Sequence, residues 1–153
     1  MKKLFYLSLS IIFLAFIISS CEENNEAPKP EISMHEFGYE DSGMGSPGSD
    51  FHIEADILAE GKIDVIIIEI HPEDEHKKNS PGAISNEEKW DVDTTYTKFS
   101  GLKNTDFHEH LEIPANAEHG HYHFHLKVND MEGNQTSLER EIEITDHLDS
   151  HSH

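Results

Sequence analysis

Thirteen histidines in a chain of 153 residues outnumber its eleven lysines and arginines together, so imidazole is the main cationic or metal-ligating side chain available. The densest group is His121, His123 and His125, two overlapping His-x-His pairs interleaved with Tyr122, Phe124, Leu126 and Val128. Alternate side chains of a β-strand share a face. With the aromatic and aliphatic residues turned inward, the three imidazoles share the outer face. Residues i and i+2 stand about 6.6 Å apart along a strand, close enough for two imidazoles to converge on a zinc ion about 2.1 Å from each nitrogen while a neighbouring strand supplies a third ligand. A second, weaker pattern places His108, His110 and Glu112 on one strand face and His52, Glu54 and Asp56 on another. Cys21 is the only cysteine, which excludes internal disulfides, redox chemistry and thiolate metal sites. Any metal must then be held by histidine, carboxylate or methionine. Zinc is the expected ion, with copper in its place if Met34 or Met44 supplies a thioether beside His35.

The segments flanking this chemistry differ in kind from it. Lys2 and Lys3, the apolar run Leu4 to Ile18 and the sequence Ile18-Ser19-Ser20-Cys21 have the three parts of a secretory signal ending in a lipobox-like pattern. Residues 1–20 are therefore expected to be a signal peptide, with Cys21 the lipidated first residue of the mature chain and 21–29 a flexible tether around Pro28. Removing 1–20 leaves nine basic against 31 acidic residues, a formal charge of −22. Such a domain repels nucleic acid and anionic membrane surfaces, so the membrane contact expected is the lipid anchor alone. Residues 146–153 carry His147, His151 and His153 with almost nothing apolar to bury, and are expected to be a disordered tail.

Between them, residues 30–145 break into short alternating segments bounded by turn residues, with no amphipathic helix of useful length. The expected strands are Glu31 to Glu36, Phe51 to Ala59, Ile63 to His71, Trp90 to Phe99, Phe107 to Ile113, His121 to Asn129 and Thr136 to Thr145. Seven strands in this length suit an all-β, immunoglobulin-like sandwich, and Tyr122 is placed like the corner tyrosine of such folds. Parity assigns the core to Phe51, Ile53, Ala55, Ile57, Ile66, Ile68, Ile70, Phe107, Leu111, Ile113, Tyr122, Phe124, Leu126, Val128, Leu138, Ile142 and Ile144. In that strand order Glu69 and His71 are expected beside His121 and His123, with His76 and His119 from loops to complete a site. His71 and His123 are the first candidate ligands, His121 and Glu69 the next, and His52, His108, His110 and His125 further candidates. On the other sheet, antiparallel pairing is expected to oppose His52 to Glu112, Glu54 to His110 and Asp56 to His108, giving either a second metal site or an ion-pair ladder, with the ladder favoured.

The motifs Phe51-His52-Ile53-Glu54-Ala55-Asp56, Ile70-His71-Pro72, Phe107-His108-Glu109-His110, Ile113-Pro114, Gly120-His121-Tyr122-His123-Phe124 and Asp130 to Asn134 together resemble a group of Bacteroidota lipoproteins. That group is catalogued only as a domain of unknown function with an immunoglobulin-like fold. The resemblance covers most of Pro30 to Ile144 and implies fold and anchoring rather than an activity. The functional expectation is a lipid-anchored envelope protein, on the outer membrane and exposed at the surface, that binds a divalent metal as an accessory to uptake or buffering. The alternative is a sandwich that docks a glycan or an outer-membrane receptor, for which exposed Trp90, Tyr96 and Phe99 would speak. Catalysis is not expected, since the chain has no G-x-S-x-G, no H-E-x-x-H and no thiol nucleophile.

Overall fold

The computed structural model describes residues 27–73 and 87–148. The signal-like segment, Cys21, His76, His151 and His153 lie outside them. Within them, eight strands run in the order β1 (Glu31–Phe37), β2 (Met44–Gly45), β3 (Asp50–Leu58), β4 (Ile63–Pro72), β5 (Val92–Tyr96), β6 (Asn104–Glu112), β7 (Gly120–Asp130) and β8 (Gln135–Ile144). They form a three-stranded sheet, β1-β3-β6, packed on a five-stranded sheet, β2-β8-β7-β4-β5. Neighbours are antiparallel except β2 and β8, which run parallel. This division of strands between the sheets is that of an immunoglobulin-like sandwich.

Parity explains the core. Phe51, Ile53, Ala55 and Ile57 of β3, Ile66, Ile68 and Ile70 of β4, and Tyr122, Phe124, Leu126 and Val128 of β7 are all buried. Phe107, Ile113, Ile142 and Ile144 join them, while Leu111 and Leu138, expected inside, are only partly buried against the cluster. The sheets therefore present opposite outer faces to water, a full sandwich thickness apart. His52, on the outer face of the three-stranded sheet, therefore stands apart from His71 and His121 on the outer face of the other.

Three further differences have local causes. β2 lies outside the expected strands, and two residues are too few to show periodicity; a Cβ on its Gly45 would stand 2.6 Å from Ile113 Cδ1, so a larger residue there would have to displace that buried methyl. Trp90 precedes β5 instead of lying within it, buried with its ring 5.7 Å from that of Phe51 and 6.1 Å from that of Tyr122. Lastly, β1 carries a bulge: Met34 pairs with Ala55, yet Glu36 pairs with Glu54, leaving His35 as the extra residue. Met34 and Phe37 can then both face the core although they stand three positions apart, a spacing that an unbroken strand would put on opposite faces.

The Tyr122 hydroxyl donates to the Glu118 carbonyl at 2.7 Å, the corner contact expected of this fold. Tyr122→Phe keeps the ring and removes that bond, so urea unfolding is expected to show a loss of about 1 kcal/mol with an unchanged slope.

Candidate metal centre

The three-stranded sheet brings its histidines together because of its register. His52 of β3 pairs with His110 of β6, and Glu54 with His108. The expected pairing of His52 with Glu112, Glu54 with His110 and Asp56 with His108 is therefore wrong by two residues. Parity identifies the face but not the partner, and β3 and β6 are not joined by a hairpin whose turn would fix their alignment. The shift turns an acid–imidazole ladder into a cluster of imidazoles.

His52 Nε2 lies 3.1 Å from His108 Nε2, which lies 3.2 Å from His110 Nε2. The His52 and His110 rings stack, 4.8 Å apart and 14° from parallel. All three residues offer ligand atoms within 4.8 Å of one another. Four ligands set tetrahedrally about 2.0–2.1 Å from zinc are separated by about 3.3–3.4 Å, so the observed nitrogen spacing is close to the edge of that tetrahedron. Without a metal, the same spacing accommodates N–H···N hydrogen bonds between the rings.

Carboxylates surround the cluster. Glu36 and Glu54 stand on the same outer face, and with His52 they form a second group of ligand atoms within 4.8 Å. Above and below the imidazole rows, Asp50 pairs with Glu112 and Asp56 with Asp106. Like charges placed opposite each other across strands repel, a cost that a bound cation lowers. Part of that charge is met by His35, whose Nε2 donates to Asp56 at 2.9 Å. The hydrogen bond to Asp56 holds the His35 pKa above the ordinary imidazole value, with the charges of Asp56, Glu54 and Asp106 acting in the same direction.

The five-stranded sheet arranges its histidines differently. His71 pairs with His123 and shares their face with His125; the His71 ring lies 5.3 Å from that of His123 and 5.5 Å from that of His125. Glu69, expected beside His121 and His123, pairs instead with His125 and binds Lys127 Nζ at 2.6 Å. The hydrogen bond from Lys127 holds the Glu69 carboxyl below the ordinary carboxylate range. The outward glutamates of β8 take up other rings: His121 Nδ1 is 2.7 Å from Glu141 and His125 Nδ1 3.4 Å from Glu139. His119 Nε2 is 3.3 Å from Asp146. Among the described residues, the groups of three or more donors within 4.8 Å are the two that contain His52; no such group forms around His71 and His123. By parity Glu139, Glu141 and Glu143 also face outward, on the strand that flanks β7 opposite β4.

Glu36 was also missed as a site residue. Its signal was the spacing of Ile32, Met34 and Phe37, a break in the two-residue period that marks a bulge. The aromatic residues expected to favour a docking surface pack inward: Trp90 is buried, and Tyr96 and Phe99 lie partly buried with their rings 5.3 and 5.7 Å from that of Phe107. Met34 likewise packs on the core.

Strand order, corner tyrosine and buried tryptophan define an immunoglobulin-like β-sandwich, here with an imidazole cluster on the outer face of its smaller sheet. The chain belongs to the family described as domain of unknown function (DUF4625), whose family model matches residues 19–145. No curated protein matches the sequence.

Proposed function

We propose that this chain is a lipid-anchored envelope protein that captures a divalent transition metal, zinc first, at His52, His108 and His110, as an accessory to metal uptake or buffering. One observation carries the reading: Nε2 of His108 lies 3.1 and 3.2 Å from Nε2 of His52 and His110, close to the separation that tetrahedral zinc imposes on its ligands, and the three residues offer ligand atoms all within 4.8 Å of one another. The surrounding carboxylates and the strongly negative charge of the whole chain support it, since they concentrate cations at the surface. Imidazole ligands favour zinc or copper over magnesium or calcium, and the packing of Met34 into the core favours zinc of the two. His108 and His110 are exposed, so bulk water reaches the ion, which suits reversible capture better than water-excluded chemistry. Anchoring through Cys21 rests on the sequence of residues 1–21, and a position on the outer membrane or cell surface rests on the resemblance to envelope lipoproteins. The metal is the partner this reading requires, and an outer-membrane receptor is the natural recipient of the captured ion.

Zinc calorimetry on the intact chain in detergent tests the proposal. A submicromolar site is expected, and it should survive the double replacement His71→Ala and His123→Ala. Zinc at about 100 times its dissociation constant should also stabilise the fold by about 2.7 kcal/mol, read as a rise in melting temperature. Loss of the tight site in the His71/His123 variant would move the centre to the other sheet, and absence of any tight site would end the metal reading.

A further inference from the structure

The proposed centre leaves open what makes His52 a ligand in preference to an ordinary surface histidine. A neutral imidazole has one N–H and one lone pair, and which nitrogen holds which is set by the hydrogen bond the other nitrogen makes. His52 has distinct neighbours on its two sides. Nε2 faces His108 at 3.1 Å, whereas Nδ1 lies 3.0 Å from Glu36 Oε2 on β1. A carboxylate only accepts hydrogen bonds, so this contact requires the proton on Nδ1 and leaves the lone pair on Nε2 pointing into the cluster.

We infer that Glu36 is the positioning residue of the metal centre: its carboxylate accepts the Nδ1–H of His52, fixes that tautomer and presents Nε2 to the ion. The inference rests on the metal reading above. Glu36 reaches His52 only because of the bulge. Continued without the extra residue, the β1–β3 pairing would run His35 to Glu54 and Glu36 to Ile53, and Ile53 is fully buried; the Glu36 side chain would then point at the core. With His35 inserted, Glu36 pairs with Glu54 on the outer face, one position along β3 from the core-facing Ile53 and within reach of the His52 ring. The bulge thus aims one side chain, a use common to bulges beside functional sites. Carboxylates that hold a ligating imidazole by its far nitrogen raise its basicity and restrict its rotation, and their loss typically weakens metal affinity by about 10–100-fold.

Two measurements on the intact chain test this together. Nitrogen-15 NMR of the imidazole, taken without metal, should show His52 protonated at Nδ1. Glu36→Ala should redistribute that proton between the nitrogens. Zinc calorimetry should then show about 10–100-fold weaker binding in Glu36→Ala. Glu36→Gln, whose amide oxygen still accepts a hydrogen bond, should restore both the tautomer and most of the affinity. Melting temperatures measured without zinc should agree among the three chains, because the Glu36 side chain is more than half exposed. An unchanged His52 tautomer in Glu36→Ala, or zinc affinity within twofold of the parent chain, would overturn the inference. If the parent chain takes up no zinc, the metal reading fails, while the metal-free spectra still decide separately whether Glu36 fixes His52.

Discussion

Replacing His108 with alanine is expected to weaken zinc binding by more than about 100-fold, beyond the 10–100-fold range of groups that merely support a ligand. His108 is the central member of the cluster. Its Nε2 is within 3.2 Å of the corresponding nitrogen of both His52 and His110, so its removal leaves two imidazoles on different strands without the atom that bridges them. The pair that remains can still hold an ion, but with half its ligands drawn from water. Folding should be little affected, within about 0.5 kcal/mol, because His108 is exposed on the outer face of the sheet. Calorimetry and thermal melts should therefore separate in this variant, with affinity lost and metal-free stability kept. Parallel loss of both would make the residue structural, and retention of both would leave the cluster without a role. Because imidazole must be neutral to bind metal, the affinity of the parent chain should also fall as the solution is acidified.

The second large effect lies in the turn that joins β7 to β8. Asp130 is the buried charged residue of the described chain, 2% exposed. Its Oδ1 accepts the backbone N–H of Glu132 at 3.0 Å and of Asn134 at 2.7 Å, and its Oδ2 accepts the Asn134 side-chain amide at 2.9 Å. Gly61 packs so closely that an added Cβ would lie 2.5 Å from Asp130 Oδ2. Asp130→Ala would leave these donors without their acceptor in a place where water does not readily replace it. A loss of about 2–4 kcal/mol is expected in denaturant unfolding. The pH dependence follows from the same bonds. Burial alone would push the carboxyl pKa up, but the hydrogen bonds from Asn134, Glu132 and Gly133 outweigh it and hold the folded value below the ordinary one. A depressed carboxylate contributes stability that is complete above the unfolded value of about 3.9 and is lost as pH falls through the folded value. The difference between the parent and Asp130→Ala chains should thus be constant near neutrality and shrink below about pH 4. A difference that is absent at pH 7, or that grows on acidification, would contradict this account of the turn.

The sandwich was legible because its strands obey a two-residue period with little interruption. Ile66, Ile68 and Ile70 can be assigned inward without knowing what they touch, and the same holds for Tyr122, Phe124, Leu126 and Val128. The histidine faces were legible for the same reason, as the complement of the core. What periodicity does not carry is register between strands distant in sequence. His52, His108 and His110 were visible as candidates, yet an alignment error of two residues made them an ion-pair ladder, since such a slip preserves the face and changes every partner. On the five-stranded sheet the strand neighbours were right for β4 and β7, and His71 does meet His123. The glutamates of β8 decide the character of that face, and they emerge only when both neighbours of β7 are considered. Glu36 needed the bulge at His35, a departure from the very regularity that made the rest readable.

The central claim is that one zinc ion sits among His52, His108 and His110. An anomalous difference map at the zinc edge, from crystals of the chain loaded with one equivalent of zinc, addresses it most directly. The account predicts a single strong peak about 2.0–2.1 Å from Nε2 of each of the three histidines, on the outer face of the three-stranded sheet. A peak beside His71 and His123 on the opposite sheet, or none on either, would contradict it.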